Sequence, residues 1–366
     1  MIRIGIVGCG RILNAHLHGY RRLREAGVDN FRITALCARK HNDALRFRKK
    51  GEGPPPRAPV LEPSTGDPLA APHIYLDEFQ PDTDVAVYTD YREMIGSGDV
   101  DAVNDFTSLH MHHQVGLAAL DAGKHILTEK PLAITVKAGR MMVKRAVENG
   151  LTLGGCENVR QSLSSRVTAW VLQQGILGDL QMVLMGGIGG LWSPSKIVAD
   201  TPWRHIKLLA GGGGTIDIGV HVMHLLRYAC GEVQAVQATV RTFEPTRIMR
   251  DGPGQVQETI NVDVDDTYFA TVLFANGAVG QLFWSWGAHG EPTSLSGAPV
   301  FYGSRGCLKG GEVILDDGTR VSARKLFEEQ AEPEVVVCMF PLGLQDPFAI
   351  SQYDWLQAIE HGAQPE

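Results

Sequence analysis

Two glycines, a lysine set before a proline, and an aspartate four residues ahead of a histidine are the groups here whose types and spacing suit chemistry. Gly8 and Gly10 follow the apolar run from Ile2 to Val7 and precede a helical stretch. A turn that tight needs residues without a β-carbon, and it lets backbone N–H groups at a helix N-terminus approach a pyrophosphate. Lys130 stands before Pro131 at the end of another apolar run. An ammonium there can hydrogen-bond a reacting oxygen and assist proton transfer. Pro131 sets the turn and admits a cis bond before it. Asp217 and His221 share one face if their segment is a single helix. A carboxylate beside an imidazole raises its basicity and fixes its orientation. Oxidation of a secondary alcohol uses such a set: a base for the hydroxyl proton and a hydride acceptor beside the carbon.

These groups need a scaffold. Apolar strand patterns at Ile2–Val7, Phe31–Ala38, Ala102–Phe106, Lys124–Thr128 and Leu151–Gly154 alternate with helical ones at Arg11–Ala26, Asn42–Lys50, His113–Ala122 and Val136–Asn149. Such alternation predicts an α/β Rossmann domain over residues 1–155, with a parallel sheet that binds ligands at its carboxyl edge. Residues 51–72 interrupt the pattern with Pro54, Pro55, Pro56, Pro59, Pro63, Pro68 and Pro72. Proline lacks the donor that helix and sheet require, so this insertion reads as a surface loop. Residues 156–366 read as an α+β domain carrying a large, mostly antiparallel, open-faced sheet. Helices are expected at Gln161–Gln174 and Thr215–Cys230, the second after four glycines at 211–214, where the glycines would let the helix N-terminus approach nicotinamide or substrate. Asn276-Gly277 and Asp317-Gly318 mark hairpins.

The third glycine of the phosphate fingerprint is replaced by Leu13. Where NAD enzymes place a carboxylate on the ribose hydroxyls, the second strand ends in Ala38-Arg39-Lys40. Two cations suit a 2′-phosphate better, which favours NADP over NAD as cofactor; they fit a solvated helix start equally well.

The glycine turn, Thr107-Ser108-Leu109-His110-Met111-His112, the run from Ala122 through Glu129-Lys130-Pro131 to Ala133, and Gly212 through Asp217 to His221 follow in that order. Together they resemble the Gfo/Idh/MocA oxidoreductase family over nearly the whole chain. The resemblance implies His221 as general acid/base, with Asp217 orienting it or binding a substrate hydroxyl, and Lys130 as the third catalytic group. It implies cofactor contacts from Gly8, Gly10, Arg11 and Ile12, from Ala38, Arg39 and Lys40, and from Thr107, Ser108, His110 and His112. Glu129, Lys130, Trp203 and Arg204 complete that set. Substrate contacts would come from Lys130, Glu157, Asn158, Trp192, Arg204, Asp217 and His221, since aromatic faces stack on sugar C–H groups. The tryptophans fit a core equally well, and Trp284 and Trp286 suit a sheet face or oligomer contact. His224 and Ser108 depart from the family, which usually has an acid and a proline there. A homodimer or homotetramer is implied. So is a further helix packing on the first domain; this chain instead stops at Gln364-Pro365-Glu366, shortly after a helix around Tyr353–His361, through truncation or divergence.

Acidic residues outnumber basic ones by 41 to 34, a balance unsuited to nucleic acid or an acidic membrane. No apolar run is long enough to span a bilayer, and Met1–Val7 lacks the order of a secretion signal. The six cysteines form neither a disulfide framework nor a zinc pattern, so no metal is expected and a reducing cytoplasm is the simplest location. The chain thus reads as an NAD(P)-dependent dehydrogenase or reductase acting on a CH–OH group of a sugar, inositol or sugar derivative. A redox-neutral glycosidase or eliminase that keeps its NAD is the alternative enzyme. A sugar-sensing regulator of the same fold is the alternative without chemistry, against which Lys130, Asp217 and His221 argue.

Overall fold

The computed structural model describes residues 1–190, 192, 194–251 and 254–365. Two compact units divide the chain: Met1–Asn158 with Leu344–Glu366, and Val159–Gly343.

In the first unit the order is β1 (Ile2–Val7), α1 (Leu13–Glu25), β2 (Phe31–Cys37), α2 (His41–Arg48), β3 (Ala86–Tyr88), α3 (Tyr91–Gly96), β4 (Ala102–Asp105), α4 (His112–Asp121), β5 (His125–Glu129), α5 (Val136–Glu148) and β6 (Leu153–Cys156). Among the described residues these six strands form one parallel sheet in the order β3-β2-β1-β4-β5-β6. Parallel strands are covered on both faces, which is why β1 and β4 read as near-continuous apolar runs. Val7, Val103, Val115, Leu120, Ile126 and Met142 form part of the core on one side. The order reverses direction at β1 and β4, where a doubly wound sheet opens its ligand crevice. The proline-rich insertion is ordered into short 3-10 turns at Pro63–Thr65 and Pro68–Ala70.

The second unit begins within α6 (Asn158–Gln161) and continues α7 (Leu163–Gln173), β7 (Leu180–Ile188), α8 (Lys207–Ala210), α9 (Gly214–Asp217) and α10 (Gly219–Cys230). Then follow β8 (Val233–Arg241), β9 (Thr246–Asp251), β10 (Gln255–Asn261), β11 (Thr267–Phe274), β12 (Val279–Ser285), β13 (Thr293–Ser294), β14 (Val300–Gly303), β15 (Gly306–Lys309), β16 (Glu312–Leu315), β17 (Arg320–Ser322), α11 (Ala323–Gln330) and α12 (Pro333–Met339). Among the described residues β17-β16-β15-β14-β7-β12-β11-β8 form a mixed sheet, with β13 added beside β7. Its pairings are antiparallel except between β12 and β7. Both hairpin signals fall where expected: Gly277, at φ +89°, joins β11 to β12, and Gly318, at φ +88°, joins β16 to β17. One face is open. Every residue of β8 after Val233 is exposed, and β11 alternates buried with exposed.

The segment after residue 343 corrects the sequence reading, which placed it in the second domain. The last helix, α13 (Pro347–His361), packs on α1 of the first unit. Gly19 makes this approach possible, since a β-carbon there would meet Gln352 Oε1 at 2.5 Å and Ala349 N at 3.0 Å. Trp355 is fully buried and donates Nε1–H to the carbonyl of Ile126 at 3.1 Å. Gln364 then bonds backbone groups of Leu151 and Leu153, tying the tail to β6.

Candidate active site

The carboxyl ends of β1, β2, β4, β5 and β6 gather the first unit's candidate residues along one edge of its sheet. At β1 the chain turns through Gly8. Its φ is +105°, and a β-carbon there would fall 2.5 Å from the Phe106 carbonyl, so only glycine fits. Its N–H donates to Cys37 O at the end of β2 (2.9 Å). Gly10 is different: a β-carbon there would meet nothing within 4 Å, so its lack of side chain leaves open space in front of the turn. Ile12, the residue before α1, makes no side-chain cap, so the N–H groups of the first turn are not claimed by one. Leu13 is fully buried and fills the helix–sheet contact that a third glycine would otherwise make close.

At the end of β2, Ala38 is buried and hydrogen-bonded to Tyr88 O, while Arg39 and Lys40 are exposed. At the end of β4, buried Asp105 accepts from both N–H and Oγ1 of Thr107 (3.1 and 2.7 Å). Burial raises the Asp105 carboxyl above its ordinary range, against the lowering influence of His112 and Thr107. Ser108 Oγ lies 3.3 Å from His110 Nδ1. His112 is fully buried; Nδ1 donates to Pro131 O at 2.7 Å, and Nε2 lies 3.2 Å from Thr107 O. It therefore ties the Thr107 loop to the Lys130 turn.

Lys130 follows β5, and its bond to Pro131 is cis. The residue before it is locked from beneath. Glu129 Oε1 accepts from His16 Nε2 at 2.8 Å, and Oε2 accepts the Lys130 backbone N–H at 3.1 Å. His16 is itself fully buried and stacked on Phe106, ring centroids 3.5 Å apart. Burial pushes the Glu129 carboxyl up, but the His16 hydrogen bond and the charges of His16 and Lys130 outweigh it, so the group stays ionised to lower pH than usual. His16 was not singled out from sequence; its signal was a histidine on the buried face of the helix behind the glycine turn. Glu157 is buried just past β6, and Asn158 is half-buried at the start of α6.

In the second unit, Asp217, Arg204 and Trp203 form one cluster. Arg204 Nε donates to Asp217 Oδ2 at 3.0 Å, Nη1 donates to Thr201 Oγ1 at 2.6 Å, and the guanidinium lies 4.5 Å from the centre of the Trp203 ring. Asp217 ends α9 and His221 lies in α10, with a kink at Ile218 (φ −104°, ψ −41°). One continuous helix from Thr215 to Cys230 was expected. At its start Asp265 holds the chain: its carboxylate accepts from Gly213 N, Thr215 N and Thr215 Oγ1 at 2.7–2.8 Å, and Gly214 N donates to its carbonyl. A β-carbon on Gly213 would fall 1.7 Å from that carbonyl. The glycine run thus serves a close approach of its own chain, and Asp265 already caps the helix N-terminus that the sequence reading offered to a ligand. The acid-rich stretch Asp263, Asp265, Asp266 was the signal for it.

His221 is half-buried and His224 exposed. His205, which sequence reasoning also passed over, is fully buried, accepts the Val198 N–H at Nε2 (3.0 Å) and packs edge-on to Trp286. Burial, with the charges of Arg247 and Arg204, pushes this imidazole down to about 4. Trp286 is buried, and half-buried Trp284 packs beside Gly214. Trp192 is half-buried, and its neighbours Leu191 and Ser193 lie outside the described residues.

Two models of one family match this chain. Residues 72–155 match an oxidoreductase family with an NAD-binding Rossmann fold, and residues 168–309 match the GFO/IDH/MocA C-terminal domain. The chain belongs to the Gfo/Idh/MocA family. Among curated relatives, levoglucosan dehydrogenase of Pseudarthrobacter phenanthrenivorans is 31% identical over 211 residues, 56% of this chain and 54% of that protein. A 1,5-anhydro-D-fructose reductase of Ensifer adhaerens is 30% identical over 193 residues, 53% of each. The chain thus spans about half the length of these Gfo/Idh/MocA relatives. A solved levoglucosan dehydrogenase, in complex with NADH and L-sorbose, shares the fold over 100% of this chain and 91% of its own, with a TM-score of 0.71 at 21% identity. An oxidoreductase domain protein from Kribbella flavida shares it equally, with a TM-score of 0.71 at 23% identity.

Proposed function

We propose that this Gfo/Idh/MocA chain is a nicotinamide-dependent oxidoreductase that transfers a hydride between its cofactor and a secondary hydroxyl or keto group of a sugar, inositol or sugar derivative. One observation carries the reading: an open glycine turn at β1 and a buttressed Lys130 at β5 stand at the same carboxyl edge of one parallel sheet. The names of the relatives, a levoglucosan dehydrogenase and an anhydrofructose reductase, support the substrate class.

The residues present fit a dinucleotide. Open space before Gly10 and an uncapped helix start suit a pyrophosphate at Gly8–Ile12. The bound nicotinamide would accept or give the hydride. Lys130 hydrogen-bonds the reacting oxygen and helps move its proton; the Glu129–His16 pair holds the Lys130 backbone in place. From the second unit, His221 serves as general acid/base, and Asp217, paired with Arg204, orients it or binds a substrate hydroxyl. Exposed Arg39 and Lys40, with no carboxylate at Ala38, favour NADP over NAD. The apolar residues on the open sheet face, Phe269, Leu273 and Val279, favour self-association into a dimer or tetramer. Among the described residues no helix is long and apolar enough to cross a membrane.

The test is a panel of sugars, inositols and sugar acids offered with NAD and with NADP, followed by nicotinamide absorbance. Turnover of at least one polyol supports the reading. A bound cofactor that cycles with no net change in absorbance while a glycoside is cleaved replaces it with the redox-neutral alternative.

A further inference from the structure

The proline-rich insertion does not hang free of the cofactor edge. It lines an open cavity of about 300 Å³ whose other walls are Gly10, Arg11 and Asn14 near the start of α1, Arg46 and Phe47 on α2, and His73. Arg57, from the insertion, lines it and donates Nη1–H to the carbonyl of Cys9, in the middle of the glycine turn, at 2.9 Å. Nη2 donates to Oδ1 of Asp43 at 2.6 Å, and Arg46 Nη1 donates to the same oxygen at 2.8 Å. Arg11 reaches back to the insertion through the Ala58 carbonyl. Two guanidinium groups on one carboxylate leave a positive charge uncompensated in a half-buried place. Burial lowers the Arg57 pKa, and the charge of Arg46 lowers it further against the opposing pull of Asp43. An anion seated here would relieve that repulsion.

The position of Arg57 says which anion. The Cys9 thiol points at Cys37 O (3.7 Å), and Gly8 N–H donates to the same carbonyl, so the turn rests on the last residue of β2. The adenosine ribose of a dinucleotide stands at that junction in this fold. We infer that Arg57, presented by the proline-rich insertion with Arg46 behind it, grips the 2′-phosphate of NADP. A planar guanidinium has five donors, and two account for its bonds to Cys9 and Asp43. The prolines give the segment few conformations to lose when it is held in this place. The inference rests on the reading of Gly8–Ile12 as a dinucleotide site.

The experiment titrates the full chain and its Arg57→Gln and Arg57→Lys variants with NADPH and with NADH, following nicotinamide fluorescence, alongside thermal denaturation of each protein. Adenosine 2′,5′-bisphosphate and inorganic phosphate serve as competitors. Loss of a charge-assisted contact should weaken NADPH binding about 10- to 100-fold in Arg57→Gln. NADH should change less than about threefold. Arg57→Lys keeps the charge without the fork, so its NADPH affinity should fall between the two; it carries the test if Arg57→Gln does not fold. The bisphosphate should displace NADPH at concentrations where inorganic phosphate does not. Equal losses for NADPH and NADH, or none, overturn the inference, as does displacement by inorganic phosphate alone. Tighter binding of NADH by the unaltered chain also overturns it and points to Asp43 as a ribose-hydroxyl acceptor. If the unaltered chain binds neither nucleotide, the dinucleotide reading itself fails.

Discussion

Arg204 donates through Nε to Oδ2 of Asp217 over 3.0 Å, and the two side chains are only 16% and 9% exposed. The carboxylate assigned to the reaction is therefore half of an ion pair, held where water screens it little. Removing one partner of such a pair leaves a charge with lost compensation, and that loss is large. Arg204→Gln is expected to destabilise the protein by about 3 kcal/mol. Denaturant unfolding checks this, and a change within about 0.5 kcal/mol, as surface substitutions give, would show the pair to be dispensable.

Lys130 carries the chemical claim. Lys130→Ala should lower turnover of the best panel substrate by about 10²-fold or more, as loss of a positioned proton-transfer group does. Its backbone is held through Glu129, so the melting temperature should scarcely move. Steady-state kinetics beside thermal melts separate the two effects, and unaltered turnover sinks the assignment.

The two glycines of the turn make different demands. A side chain at Gly8 collides with the Phe106 backbone at 2.5 Å and strains a φ of +105°, so Gly8→Ala should cost about 1–3 kcal/mol of stability. A side chain at Gly10 meets no protein atom within 4 Å. Gly10→Ala should fold as the parent does yet bind nicotinamide dinucleotides at least about tenfold more weakly, by crowding a pyrophosphate. Unchanged nucleotide affinity in a well-folded Gly10→Ala variant would place the dinucleotide elsewhere.

His205 sets a dependence on acidity. In the unfolded chain its imidazole takes a proton near pH 6.5, in the folded one only near 4. Between those values the unfolded state binds more protons, so this contribution is full above about pH 6.5 and is lost as the pH falls towards 4. The loss amounts to about 3 kcal/mol. Urea midpoints measured across that range, for the parent and for His205→Gln, should converge at the acid end. Parallel curves would exclude His205 as the source.

The sheet of the first unit was legible because parallel strands buried on both faces are written as apolar runs with glycine at their ends. The strand Ala86–Tyr88 escaped because three residues make no period. Glu129 and Lys130 could be found by their motif, but His16, which braces them, lies 113 positions away from Glu129, and only the fold joins the two. Asp217 and His221 were read as neighbours on one helix because spacing cannot reveal a kink. Nor can spacing show that Asp265, in a distant stretch of chain, grips Gly213 and Thr215 ahead of it. Local order is written in neighbouring residues; the braces of a site come from contacts that are long in sequence.

Trp355 and Gln352 complete a layer whose other members were made before residue 159. A chain emerging from the ribosome must therefore synthesise the whole of the intervening unit while the notch at Gly19 and the carbonyl of Ile126 wait for their partners. The layer that α13 covers is finished last although it is begun first, so a message cut short anywhere in the second unit yields a polypeptide with an uncovered apolar seam, a substrate for chaperones and proteases rather than a half-finished fold.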